Sequence, residues 1–518
     1  MSERRQFLKA GAALAAVGPA LARADTRPHL WQGHDFGPAP TVSNRLDQGP
    51  FGIEQDEGWY TIATTTPSAG RVANPGLGLV GYAWEENGPS LAAREGRQTL
   101  EQSVEALAAL RFVDVLYIRC DWRDVQSRPG RLDLHPVWAA TRDAARRHGL
   151  RVAFRVQLSN PEIQPAKLAL PDFLQPKVPL VTIRSPSGRA PDRVEPRYDH
   201  PDFQRAFREL NELLAAELDN DPLVEFADLM MYGFWGEGHT SDYPSPIPDP
   251  ALAERTFLDM TERQIAAWRR VPLVVNTQPD ISRTGNRTVL DIAVRGGSWL
   301  RSDSVILDEP EQIEELAHRP PWLAVVMEDG YHRHYRTDTK HYRVDAAGVD
   351  VIEHTMLHAL DVGANYWSLW TEAANVARYR EQRPAAFEAL ERRIGYRVRP
   401  SWIWQRKRSS TDELVVALAN DGVASVPGVL RVFAETRDGQ PLAGGGLDAG
   451  HPFAGRLRLA SFLLPPGMGG GEVRLRAELE VKGARRPVRW ACAQPLDEGG
   501  ALVVRLKRHD DPDWRKGI

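Results

Sequence analysis

The chain has 518 residues, of which 42% are hydrophobic and 26% are charged, and its formal net charge is -4. This composition is typical of a folded globular protein and excludes a collagen-like repeat, a long disordered chain and the basic surface of a nucleic-acid-binding protein. The length exceeds what one hydrophobic core usually supports, so we expect a large domain and at least one smaller one.

The first 24 residues carry the pattern of an export signal. "RRQFLK" (Arg4 to Lys9) precedes an apolar run, Ala10 to Ala22, which ends in the small-x-small sequence Ala22-Arg23-Ala24. This pattern resembles a bacterial twin-arginine signal, and its apolar run is too short to span a membrane. We therefore expect a periplasmic or secreted mature protein that begins near Asp25 and has no membrane anchor.

The numbers of cysteines and tryptophans further limit the classes of protein to which the chain can belong. Only Cys120 and Cys492 occur, which excludes a disulfide scaffold and a cysteine-based zinc site. Free buried thiols are the favoured interpretation, and a single bridge between the two stays open. The 15 tryptophans suit either stacking against sugar rings or ordinary core packing.

From residue 74 to about residue 395, short apolar runs alternate with longer amphipathic stretches. Eight runs predict strands, and they span Leu77 to Trp84, Val113 to Trp122, Leu150 to Ser159, Glu225 to Trp235, Val271 to Gln278, Trp299 to Ile306, Trp322 to Asp329 and Gly363 to Trp370. Eight strands that alternate with helices predict a (β/α)8 TIM barrel over residues 74–395. A doubly wound open sheet is the alternative, but the chain has no glycine-rich phosphate turn after its first strand.

The segments before and after residues 74–395 differ from them in composition and in the pattern of apolar residues. Residues 25–73 are rich in Pro, Gly and polar residues, which predicts an irregular N-terminal leader. Residues 396–518 alternate apolar and polar residues between Gly, Asn and Asp turns, which predicts a small antiparallel β-sandwich domain. The Pro-rich stretch 160–197 is too long for an ordinary connection, so we expect a functional loop there.

In a TIM barrel the chemistry lies at the C-terminal ends of the strands, so polar residues at those ends indicate the site. The predicted catalytic pair is Glu237 after strand four and Glu328 after strand seven. The predicted substrate-binding residues are Trp84, Arg119, Asp121, Trp122, Arg155, Trp235, His239, Asn276, Arg301, Asp329, Tyr331, Trp367 and Trp370. No metal or other cofactor is expected.

Two carboxylates among tryptophans fit the hydrolysis of a glycosidic bond. One carboxyl protonates the departing oxygen, and the other stabilises or attacks the anomeric carbon. Glu237 lies between two glycines, which leaves room for a substrate, and Arg119 is expected to lie beside the carboxylate of strand seven. Asp329, adjacent to Glu328, is the alternative second carboxylate.

The stretch "LYIRCDWRDVQSRPGRLDL" (Leu116 to Leu134) resembles a passage of glycoside hydrolase barrels of clan A, the β-galactosidase-like and cellulase-like enzymes. "YGFWGEGH" and "GANYWSLW" are similar to stretches of secreted bacterial barrel proteins that carry a C-terminal β-sandwich. The resemblance covers roughly residues 74–510 and includes secreted bacterial barrels with a C-terminal β-sandwich. It implies a carbohydrate substrate, Glu237 as acid/base and Glu328 as nucleophile in a retaining reaction. Gly236 stands where the clan usually has Asn.

A second hypothesis belongs to another functional class. The chain is then a non-catalytic glycan-binding or polysaccharide-assembly protein on a degenerate TIM barrel, in which the carboxylates only hydrogen-bond a sugar.

Overall fold

The protein is described from a computed structural model. The structure describes residues 38–47, 59–188, 190–241, 243–277, 286–303, 310–328, 351–408 and 410–510. The predicted export signal, Asp329 and Tyr331 lie outside these ranges.

Eight parallel strands close into a barrel, which confirms the predicted fold class. Barrel strands 1 to 8 are Gly78–Trp84, Val115–Asp121, Arg151–Gln157, Val224–Asp228, Leu273–Asn276, Trp299–Ser302, Val325–Glu328 and Tyr366–Leu369. Each pairs with the next in the chain, and strand 8 pairs with strand 1. All eight predicted runs therefore contain a strand, and the open sheet is excluded.

Barrel strand 4 is shorter than predicted. It ends at Asp228, whereas the apolar run continues to Trp235. The continuation is a buried loop in which Gly233, Gly236 and Gly238 have φ angles of 92°, 74° and 84°, and Trp235 has a φ of 53°. Strands do not contain this left-handed backbone, so the run reflects burial of a loop and not strand pairing.

Helices follow the barrel strands in the order expected of a TIM barrel. They span Leu91–Arg94, Leu100–Ala108, Val137–His148, Pro201–Leu218, Pro250–Ala267, Asn286–Arg295, Pro310–Ala317, Val351–Asp361, Ala373–Gln382 and Pro384–Arg393, with a 3-10 turn at Trp122–Asp124. Their ends are encoded locally. Thr99 and Gln102 form a capping box, and Gly149 ends its helix with a φ of 66°.

The predicted long loop contains a β-hairpin, Leu180–Ile183 and Arg193–Pro196. Ile183 of this hairpin packs with Phe234, Trp235 and Tyr243 in a small apolar cluster. The hairpin therefore packs on the loop that carries Glu237.

Two antiparallel sheets form the C-terminal sandwich, as predicted. One contains Val398–Arg408, Thr411–Asn420 and Leu457–Leu463, and the other contains Pro441–Gly446, Val429–Glu435, Glu472–Val481, Ala484–Val488 and Leu502–Arg505. The first sheet also includes Trp59–Thr64, which pairs with Val398–Arg408. A strand in this part of the leader was not predicted.

The sandwich meets the N-terminal end of the barrel through Glu225. Its carboxylate accepts hydrogen bonds from Arg151 of the barrel, at 2.6 Å, and from Arg486 of the sandwich. In the described part of the chain, Cys120 and Cys492 are both buried and free, and no helix is long and apolar enough to cross a membrane.

Candidate functional site

A tight loop after barrel strand 4 fixes the position of Glu237. The Phe234 amide donates to the His239 carbonyl at 2.7 Å, and the Glu237 amide donates to the Phe234 carbonyl at 3.0 Å. Gly233 is required for this closure, because a Cβ atom there would lie 2.3 Å from the His239 oxygen. The Trp235 amide also donates to the Ser159 carbonyl at 3.0 Å, which ties the loop to the end of barrel strand 3.

Both oxygens of the Glu237 carboxylate accept a hydrogen bond. Arg155 Nη1 donates to Oε1 at 3.2 Å, and His239 Nε2 lies 3.2 Å from Oε2. Asn276 Nδ2 contacts the Glu237 carbonyl at 3.3 Å. The residue is only 1% exposed, so these contacts hold the carboxylate in one orientation.

The surroundings of His239 define its tautomer. The backbone N–H of Ser241 points at His239 Nδ1 at 3.1 Å. Because a backbone amide can only donate, Nδ1 must accept, and the proton of the neutral ring is then on Nε2. His239 therefore donates to Glu237 as a neutral group. It was predicted as a substrate contact, but here it orients the carboxylate.

Glu328, the last residue of barrel strand 7, is fully buried, and one of its carboxylate oxygens accepts three hydrogen bonds. Its Oε2 accepts from Tyr82 Oη at 2.7 Å, from Arg119 Nη2 at 2.5 Å and from Arg301 Nη2. Two guanidinium groups and a phenol stabilise the carboxylate form of this side chain.

Arg119 joins the two predicted catalytic residues. Its Nη2 contacts Glu328 at 2.5 Å, and its Nη1 lies 4.0 Å from Glu237 Oε1. Both carboxylates thus approach one guanidinium group at the C-terminal mouth of the barrel, although Glu237 comes from a loop and Glu328 from a strand. The expected proximity of Arg119 to Glu328 is present.

A dense ionic network surrounds this pair. Arg155 contacts Asp228 at 2.9 Å and Asp303 at 3.1 Å, and Arg301 also contacts Asp303. The network contains the cations Arg119, Arg155 and Arg301 and the carboxylates Glu86, Asp228, Glu237, Asp303 and Glu328. Carboxylates outnumber arginines in this group, so its formal charge is negative.

Two tyrosines complete the network from inside the barrel. Tyr82 Oη contacts Glu328, and Tyr117 Oη donates to Asp228. Burial raises the pKa of both phenols above the ordinary value of 10.0. The phenols therefore keep their protons at neutral pH and act as hydrogen-bond donors.

Asp121 and Gln157 lie one layer nearer the barrel mouth. They are register partners at the ends of barrel strands 2 and 3, two residues beyond the paired Arg119 and Arg155. Asn160 Nδ2 donates to Asp121 Oδ1 at 3.0 Å. Burial and then the nearby Asp124 raise the pKa of Asp121 to about 7, so this side chain is partly protonated at neutral pH.

Three of the predicted tryptophans lie away from the network. Trp122 donates to Gln126 at 2.8 Å and packs on Phe203, whereas Trp367 packs on Phe387. Trp84 packs on His135 at a ring distance of 4.5 Å. All three belong to the apolar layer between strands and helices. The prediction that they line the mouth is corrected here, because a position at the end of a strand does not fix which face of the strand a side chain occupies.

The other predicted residues reach the network or its border. Trp370 Nε1 donates to Glu86 Oε2 at 3.0 Å. The Trp235 carbonyl accepts from Arg155 at 3.3 Å, while its ring packs near His239. Asp329 and Tyr331 lie outside the described residues. The choice of Glu328 over Asp329 as the second carboxylate therefore stays a prediction.

The predicted site residues do not include five members of the network, which are Glu86, Asp228, Asp303, Tyr82 and Tyr117. Glu86 follows the end of barrel strand 1 and binds Arg119 Nη1 at 2.5 Å. Tyr82 was hidden inside a strand, and Asp228 was hidden by the overlong prediction for barrel strand 4. Strand alternation offers a signal for Tyr82, which lies with Val80 on the inner face of barrel strand 1. The register irregularity between Tyr82 and Trp84 interrupts this alternation, and Trp84 packs in the layer between strands and helices.

No cluster of three or more potential metal ligands occurs among the residues that the structure describes. The histidine-rich stretch "YHRHY" (Tyr331 to Tyr335) lies outside those residues.

No model of a known protein family matches the sequence, and no curated protein matches it. Among solved structures, the chain is similar to an exo-beta-1,4-mannosidase from Opitutaceae bacterium strain TAV5, with 15% identity, a TM-score of 0.37, and 62% of this chain and 55% of that chain covered. It is also similar to endo-glycoceramidase II from Rhodococcus sp., with 12% identity, a TM-score of 0.36, and 78% and 100% covered.

A third similar structure is the beta-galactosidase from the psychrophilic Marinomonas ef1, with 14% identity, a TM-score of 0.33, and 60% and 61% of the two chains covered. The chain spans about half the length of the exo-mannosidase. These likenesses concern the fold alone and carry no argument about activity. The fold that the sequence resemblance implied, a barrel followed by antiparallel sheets, is confirmed by the strand topology itself.

Proposed function

We propose that the protein is a glycoside hydrolase in which Glu237 is the acid/base and Glu328 is the nucleophile. The observation that carries this proposal is the approach of both carboxylates to Arg119, at 4.0 Å and 2.5 Å, at the C-terminal mouth of a closed barrel. Active sites of TIM barrels lie at this face, and hydrolysis of a glycosidic bond needs two carboxyl groups in distinct roles.

The contacts of Glu328 suit a nucleophile. Arg119, Arg301 and Tyr82 all donate to Oε2, so the group is a carboxylate with a fixed orientation. Attack of a carboxylate oxygen on the anomeric carbon would form a glycosyl ester and break the bond to the leaving oxygen.

We assign the proton exchange to Glu237, the second carboxyl that approaches Arg119. It would give a proton to the leaving oxygen in the first half of the reaction and accept one from the attacking water in the second half. His239 and Arg155 hold its two oxygens in place throughout. Asn276 fixes the backbone of the same residue from barrel strand 5.

The proposed substrate is an uncharged oligosaccharide or polysaccharide. The three described arginines of the network are already bound to carboxylates, and the described carboxylates outnumber these arginines, so we expect an anionic sugar to be repelled. We also propose, from the twin-arginine pattern, that the mature protein acts outside the cytoplasm. Immunodetection of the full-length protein and of an Arg4→Lys, Arg5→Lys variant in periplasmic fractions tests this location.

The activity is tested on a panel of 4-nitrophenyl glycosides and plant and microbial polysaccharides. The Glu237→Gln and Glu328→Gln variants should each lower kcat/KM at least about a hundredfold, while exposed Glu388→Gln should not change it. A 2-deoxy-2-fluoro glycoside of the accepted sugar should label the peptide that contains Glu328. Normal turnover by either site variant rejects its assignment.

One observation favours the second candidate, a non-catalytic glycan-binding protein. Glu237 and Glu328 are only 1% and 0% exposed, so a sugar reaches them only after their surroundings rearrange. Oligosaccharide binding without any hydrolysis, unchanged in the Glu328→Gln variant, would support this candidate over the enzyme.

A further inference from the structure

Gln157 is an exception among the buried glutamines of the described chain. Gln126, Gln264 and Gln405 use both their amide oxygen and their amide nitrogen in hydrogen bonds. Gln157 is fully buried, yet neither its Oε1 nor its Nε2 has a hydrogen-bond partner. Buried side-chain amides are nearly always hydrogen-bonded, so this one calls for an explanation.

Strand geometry directs Gln157 into the barrel mouth. Its neighbours Val156 and Leu158 belong to the apolar layer that faces the helices, and successive side chains of a strand point to opposite faces. Arg155, two residues earlier on the same face, contacts Glu237. Gln157 thus lies one inward-facing layer above the arginine, about 6.6 Å along the strand.

The neighbouring groups define what could bind there. An amide offers an acceptor and two donors on one rigid plane, so its partner must both donate and accept. Asp121, the register partner of Gln157, is buried beside it, and burial raises the pKa of Asp121 to about 7. No cation of the described network contacts Gln157, so the layer favours an uncharged polyol over an anion.

We propose that Gln157 is a substrate-recognition residue, whose amide accepts a hydrogen bond from one sugar hydroxyl and donates a hydrogen bond to an adjacent sugar oxygen. This inference rests on the proposed function and names a specificity residue for the same site. The unpaired amide of Gln157 then lowers the stability of the protein without substrate, and the hydrogen bonds that a bound sugar makes offset this loss.

The test compares Gln157→Met with Gln264→Met. Methionine has a similar shape without polar atoms, and Gln264 is an equally buried glutamine with three hydrogen bonds to backbone groups. In guanidinium unfolding of the free protein, Gln157→Met should leave the midpoint unchanged or raise it. Gln264→Met should lower it, because backbone groups of Met230 lose their partners.

Sugar binding supplies the second measurement. Calorimetric titration uses cellobiose, mannobiose and lactose, each at millimolar concentration, with the wild-type protein and both variants. Gln157→Met should weaken binding of the recognised disaccharide about 10- to 100-fold, and Gln264→Met should not change it.

The outcomes separate this inference from the proposed function. A lowered unfolding midpoint for Gln157→Met, unchanged sugar affinity, or no binding of any disaccharide to the wild type overturns the role of Gln157. Gln157-dependent binding without hydrolysis supports that role and rejects the enzyme. Hydrolysis with the same kcat/KM in the wild type and in Gln157→Met supports the enzyme and rejects the role of Gln157.

Discussion

Replacement of Asp121 by Asn should make folding less sensitive to pH, because burial and Asp124 raise the pKa of this carboxyl from 3.8 to about 7. Below about pH 4 the side chain is neutral in both the folded and the unfolded protein. As pH rises toward 7 the unfolded chain releases a proton that the folded chain retains, so the free energy of unfolding falls. The fall amounts to about 1.4 kcal/mol per pH unit, or roughly 4 kcal/mol in total, and is complete above pH 7.

The Asp121→Asn variant lacks this titration and keeps an oxygen that can accept from Asn160. Its stability relative to the wild type should therefore increase by roughly 4 kcal/mol between pH 4 and pH 8. Urea unfolding followed by tryptophan fluorescence at several pH values measures the difference. Asp143→Asn, on the exposed face of an outer helix with a side chain 59% exposed, is the control and should track the wild type. Parallel pH profiles for Asp121→Asn and the wild type would refute the reasoning.

Three further outcomes are expected. His239→Asn, whose amide can donate to Glu237, should keep kcat within about tenfold of the wild type, whereas His239→Ala should lower kcat about a hundredfold by misplacing the carboxylate. Equal losses in the two variants would contradict the positioning role. Nitrogen NMR of the wild-type ring should show the proton on Nε2. Arg301→Met should lower the free energy of unfolding by about 3 to 5 kcal/mol, because it leaves buried carboxylates with one cation fewer, and a loss below 1 kcal/mol in urea unfolding would contradict the network. Gly233→Ala should reduce soluble yield and stability through a clash at the His239 carbonyl, whereas Gly149→Ala, with a similar left-handed backbone and no atom near the added Cβ, should cost only about 1 kcal/mol.

The fold could be predicted because it follows from repeated local signals. Each barrel strand is an apolar run bounded by helix or turn residues, and the closed ring follows from their number and order. The strand Trp59–Thr64 could not be predicted, because its stability comes from pairing with Val398–Arg408, which is far away in the chain.

The candidate site could be predicted only where chemistry coincides with a strand end. Arg119, Arg155, Arg301 and Glu328 satisfy that rule, because each lies in the last three residues of its barrel strand. Glu237 was selected because the buried loop before it has the composition of a strand, and it meets the other four in one network. The same rule does not consider which face of the strand a side chain occupies, so it also selected Trp122 and Trp367, which pack outward against helices. Asp228 was missed for a different reason, since the buried loop beyond it has the same apolar composition as a strand.

Trp59–Thr64 and Val398–Arg408 pair in one sheet, although the whole barrel lies between them in the chain. A strand that precedes the barrel is thereby joined to a strand that follows it, and the Arg406 guanidinium lies 4.3 Å from the centre of the Trp59 ring at this pairing. A fragment that begins at residue 396 would lack Trp59–Thr64, so one edge of the strand Val398–Arg408 would be unpaired. The sandwich is consequently completed by a strand that precedes the barrel in the chain, and removal of Trp59–Thr64 would leave Val398–Arg408 without its partner on that side.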